Sequence, residues 1–162
     1  MNFPITKFIG ALIVQNQINN KISYAINYES SSTERINGEY MMINFDTGCY
    51  YSCTGFGADV ISLINAKVDR NFWEEILGKA WKIDFDAELN EKLEVFLRSC
   101  RTAGLIFQID ISDRSDFNLP NDIQRDKFEF QELYEYQDMK DLLMVDPIHD
   151  TTFMGWPDRS ES

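Results

Sequence analysis

The stretch from Asp86 to Gly104 constrains this 162-residue chain more than any other. Leu89, Leu93, Phe96, Leu97 and Cys100 recur there mainly at spacings of three and four, which puts them on one stripe of an α-helix. Asp86 stands where an N-cap belongs, and Gly104 where a left-handed stop belongs. A helix that is apolar on one stripe must bury that stripe against another layer. Immediately afterwards Leu105, Phe107, Ile109 and Ile111 alternate with Ile106, Gln108 and Asp110, the period-two pattern of a strand. A helix running into a strand points to a sheet with helices on it.

The first 57 residues supply more strands. Phe8 to Val14 is a short apolar run suited to a buried strand, and Asn19-Asn20 offers a turn. Ile22, Tyr24, Ile26 and Tyr28 alternate with smaller or polar residues, so the two runs predict a hairpin. The cluster Ser30 to Thr33, and later Asn37-Gly38, mark the next loop or turn. Tyr40 to Phe45 reads as a third strand, with Met41, Ile43 and Phe45 on one face. Asp46-Thr47-Gly48 turns the chain into a short fourth strand, Tyr50 to Cys53.

Helices dominate the middle. Val60, Ile61 and Ile64 suggest a short helix or turn. Asp69 caps a second helix whose apolar face includes Phe72, Trp73, Ile76, Leu77 and Trp81. Gly78 lies inside it and weakens it by about 1 kcal/mol relative to Ala. The expectation is a single α+β domain. Its mainly antiparallel sheet uses the N-terminal strands plus Leu105 to Ile111, and two or three helices, chiefly at about 70–82 and 87–101, pack on one face.

The last third has a different character. Ser112 to Gln124 is polar, contains Pro120 and predicts a loop. From Lys127 to Tyr136 two periods compete: Phe128, Phe130, Tyr134 and Tyr136 fit a strand, while Asp126, Glu129, Glu132, Glu135, Asp138 and Asp141 recur every third residue. A strand through Tyr136 followed by a short helix around Asp138 to Met144 reconciles them, with an irregular tail from Asp146. Charge follows the same division. The net charge is −12, and residues 110–162 hold 14 acidic and 5 basic side chains against 13 and 10 in residues 1–109. Such a balance argues against direct binding of nucleic acid or of an anionic membrane, both of which need clustered Lys and Arg.

Catalytic constellations are hard to find. The sole imidazole, His149, sits between carboxylates in a Pro-containing tail. Asp110, Asp113 and Asp116 resemble a calcium loop but lack its Gly and terminal Glu. Gly55-Phe56-Gly57 lacks the Lys of a phosphate loop. Cys49 and Cys53 have no further pair to complete a zinc site, and three cysteines in all suit free thiols in a reducing cytoplasm. Lys7 followed by Phe8 to Val14 imitates a signal peptide, but Gln15, Asn16 and Gln17 replace the cleavage site, so a cytoplasmic protein is expected. No cofactor or metal is implied, and a binding protein is favoured over an enzyme.

In size, acidity and aromatic content the chain resembles the immunity proteins that protect bacteria from their own toxins, including those of contact-dependent growth inhibition systems. The resemblance covers general character over the whole chain and rests on no motif. It implies a cognate basic toxin, for instance a nuclease, or another cationic protein as partner, bound directly. The footprint expected from the sequence is Asp126, Glu129, Glu132, Tyr134, Glu135, Tyr136, Asp138 and Asp141, where carboxylates steer a cationic partner and rings supply desolvated contact. Two alternatives are an acidic mimic of nucleic acid, which wants these acids on one helix face, and a small-ligand enzyme using carboxylates with His149.

Overall fold

A computed structural model describes residues 22–110 and 117–136. The expected strand at Phe8 to Val14, the turn at Asn19-Asn20, the helix around Asp138 to Met144, His149 and the tail lie outside the described residues, as do Asp113 and Asp116.

The fold is α+β, with two antiparallel sheets rather than one among the described residues. Strands β1 (Ile22–Ile26) and β5 (Ile106–Asp110) pair with each other. A second sheet has the order β2-β3-β4-β6, from Ser31–Ile36, Glu39–Asn44, Tyr50–Cys53 and Tyr134–Tyr136. The single expected sheet divides because β5 starts two residues after Gly104 and must lie where the preceding helix ends. There it meets β1: the Asn27 amide donates to the Leu105 carbonyl at 2.8 Å. The serine cluster, expected as a loop, opens β2 instead. As an edge strand β2 needs no apolar outer face, and its pairing with β3 provides the ladder. Asn37 (φ 50°) and Gly38 (φ 82°) close that hairpin in two residues, both left-handed, as a tight turn matched to strand twist requires.

Three helices follow: α1 (Gly55–Asn65), α2 (Trp73–Trp81), entered through a 3-10 turn at Arg70–Phe72, and α3 (Ala87–Thr102). The sequence reading of α2 and α3 holds to within a few residues, and both expected caps form. The Asp69 carboxylate accepts from the Asn71 amide and the Asp86 carboxylate from the Leu89 amide. Gly78 earns its place in α2 by contact: a Cβ there would stand 3.1 Å from the Ile83 carbonyl oxygen. α1 exceeds expectation in length and centrality. Every residue from Phe56 to Ile64 is buried, so it has no polar face to reveal a helical period. α1 packs against β1 and β3, and the core faces of the larger sheet present Tyr40, Met42, Tyr51 and Cys53 to the helices. Met41 and Ile43 share the opposite, half-buried face, while Phe45 is exposed beyond the end of β3.

The C-terminal end of α3 is where both sheets are tied. Gly104 (φ 71°) ends the helix, and the Leu105 amide reaches back to the Cys100 carbonyl at 3.0 Å. The carboxamides of Asn27 and Asn44 donate to the Gly104 and Ala103 carbonyls at 3.0 and 2.7 Å. Asn44 thereby satisfies a helix end and, through its Oδ1, two amides of the Asp46-Thr47 turn.

Candidate functional site

Residues 117–133 carry no regular structure, and only Tyr134–Tyr136 forms a strand. The expected strand over Lys127 to Tyr136 is therefore mostly an irregular strap. Its order comes from side-chain anchors, since it has no ladder of its own. Arg125 lays its guanidinium on Asp59 of α1 through two bonds of 2.7 and 2.9 Å. Asp59 is fully buried and also accepts from the Trp81 indole at 2.9 Å. Arg125 donates in addition to the Pro120 carbonyl at 2.6 Å, which closes the strap on itself. Three residues before Arg125, Asp122 takes a second two-bond fork from Arg35 of β2, at 2.8 and 2.6 Å. This hydrogen bond holds the Asp122 carboxyl below its ordinary range and raises Arg35. The strap passes over the hairpin turn so closely that a Cβ on Gly38 would meet the Asp122 carbonyl oxygen at 3.0 Å.

Aromatic anchors complete the attachment. Phe128 stands edge-on to Phe56 and Trp81, with ring centres 5.2 and 6.0 Å away. Phe130 meets Phe56 and Phe96 at 5.6 and 6.3 Å. Thr54 donates to the Gln131 carboxamide oxygen, and Gly57 lets α1 approach the Gln131 carbonyl and Phe96 closely.

With those groups turned inward, Asp126, Glu129, Glu132 and Glu135 are all exposed. Tyr134, 61% exposed, stands 4.8 Å ring to ring from the half-buried Tyr136, whose hydroxyl is 3.2 Å from that of Ser52. Register places Tyr134 and Tyr136 opposite Ser52 and Tyr50, whereas Glu135 lies opposite Tyr51 on the other face. The two tyrosines and Glu135 thus look to different sides of the sheet. Phe128 and Phe130, interleaved with the acids in sequence, belong to the core margin rather than to an exposed ring-bearing face. Asp138 and Asp141 lie outside the described residues. The every-third-residue acids do not sit on a helix over 126–135.

One wall of the site escapes a reading of the last third alone. The outer face of α3, with Glu88, Glu91, Lys92, Val95 and Ser99, faces Phe130, Glu132 and Leu133 across a groove of about 590 Å³. Smaller depressions of about 400 and 340 Å³ extend it toward Arg98 and Glu135 and toward Asp84 and Phe128. Val95 is the sequence signal for this wall: an apolar residue among Glu91, Lys92 and Glu94 on the helix's charged face, 45% exposed. In the Arg98 depression burial, and then the Glu135 carboxylate, push Tyr51 up to about 12.

The three thiols are free, and Cys53 and Cys100 are buried. Burial pushes Cys100 up to about 12 and Cys53 well above its ordinary value, so both stay protonated and unreactive near neutral pH. Among the described residues no group of three or more His, Cys, Asp or Glu is placed to hold a metal ion, and no helix is long and apolar enough to cross a membrane. Compared with protein-family models, curated proteins and solved structures, the chain matches none.

Proposed function

We propose that this protein is an acidic inhibitor that binds a cationic protein directly, most specifically an immunity protein neutralising a cognate basic toxin in the cytoplasm. The observation that carries the reading is the strap. Asp126, Glu129, Glu132 and Glu135 face solvent on a segment that two arginine forks and two phenylalanines fix to the core. Carboxylates held in place before a partner arrives steer its approach and lose little freedom when it docks.

Immunity proteins are usually encoded beside their toxins, so the product of the adjacent gene is the partner to titrate. The double variant Glu132→Lys, Glu135→Lys is expected to weaken that binding by at least about 1 kcal/mol, roughly fivefold in Kd, mostly through a slower on-rate that rising salt also lowers. Both positions are exposed, so the fold tolerates the change. Calorimetric titration that gives the same Kd for the variant and the wild type would exclude this footprint.

A further inference from the structure

The three depressions beside α3 are one groove. The 590 Å³ and 400 Å³ depressions share Ser99 and Leu133, and the 590 Å³ and 340 Å³ depressions share Glu88 and Lys92. Its length is set by α3, whose 16 residues span about 24 Å. Its apolar lining is Val95 and Phe96 from α3 and Phe128, Phe130 and Leu133 from the strap. The walls carry six carboxylates (Asp84, Asp86, Glu88, Glu91, Glu132 and Glu135) against two cations, Lys92 and Arg98. Lys92 and Glu88 pair with each other at 2.8 Å, which leaves five carboxylates against Arg98. An apolar floor between acidic walls, running parallel to a helix, is complementary to one kind of occupant.

We propose that this groove takes an amphipathic α-helix of the partner, with an apolar ridge flanked by Lys and Arg. The inference rests on the reading above only for the partner being a cationic protein. A helix fits because the α3 wall is itself a helical row, Glu88, Lys92, Val95, Ser99 and Thr102, and such rows accept the ridge of a second helix lying alongside. The apolar ridge reaches Val95 and Phe130, while its basic flanks reach Glu91 and Glu132.

The probe is an 18-residue fluorescein-labelled peptide of Leu and Lys at heptad spacing, followed by fluorescence polarisation on the full chain. Val95→Glu separates the groove from plain charge attraction. It adds a carboxylate but removes apolar surface, so the groove predicts binding weaker by about fivefold, from the loss of the still-exposed part of Val95 and the cost of setting a carboxylate against an apolar ridge. Ser99→Trp, which fills the groove, weakens binding similarly. Glu29→Lys with Glu34→Lys, both exposed and outside the groove lining and the strap, leaves it within threefold. A loss below threefold in Val95→Glu, or a gain, overturns the proposal. So does a dimer of this chain that the peptide dissociates, which would assign the groove to a second copy. Failure of the adjacent gene's product to bind would sink the immunity reading by itself, and the peptide results would still decide the groove.

Discussion

The two walls of the groove are ordered by opposite means. α3 satisfies its own backbone, is capped by Asp86 and closed by Gly104, and buries a stripe dictated by its own spacing. The strap at 117–133 has no internal ladder and stays in place through Arg125, Arg35, Phe128 and Phe130, whose contacts between the strap and the rest of the fold span 34 to 87 residues of sequence. A site built from one self-sufficient wall and one borrowed wall has a rigid half and a half whose presentation depends on a few buried contacts. Removing those contacts should affect the strap first.

The largest effect is expected at Asp59. Asn at that position keeps the shape but strips the charge from beneath Arg125, and breaking one partner of a buried ion pair costs about 3–5 kcal/mol. Urea denaturation followed by tryptophan fluorescence should show that loss. Native-state hydrogen exchange should show strap amides opening well before those of α3. Equal loss of protection in both walls would mean that the strap is no separate unit. The converse variant, Asp86→Ala, should cost about 1 kcal/mol. It should raise exchange in the first turn of α3 and leave the strap's protection as it was.

This asymmetry also explains what the sequence could disclose. Helix α3, the Asp69 and Asp86 caps and the strand after Gly104 are legible because each is specified by neighbours two to four residues apart. α1 is longer than its sequence pattern predicts because a helix buried on all sides carries no periodic contrast. The division into two sheets, and the strap's path, depend on pairings such as Asn44 with Ala103 and Asp59 with Arg125, which leave no local trace. The acids of the strap were visible as charge, but their opposite wall on α3 was not, because Glu88 and Glu91 look like any solvated helix face. Only Val95 departed from that pattern.

The smallest effect distinguishes the two arginine forks that hold the strap. Arg35–Asp122 matches Arg125–Asp59 in geometry, but the Asp122 side chain is 38% exposed while that of Asp59 is inaccessible. Solvent screens the outer pair, so Asp122→Asn should cost no more than about 1 kcal/mol at pH 7. The pH dependence has a definite sign. Arg35 depresses the Asp122 pKa below its unfolded value, so the unfolded chain binds the proton more readily. The contribution is therefore complete above the unfolded value of about 3.9 and fades as pH falls through the lower, folded value. Comparing the wild type with Asp122→Asn isolates it from the other carboxylates, which both proteins share. The gap in urea midpoint should be present at pH 7 and narrow as pH falls below about 3.9. A gap that persists at low pH would mean that the Asp122 side chain acts through its shape rather than its charge, and that Arg125 alone holds this end of the strap electrostatically.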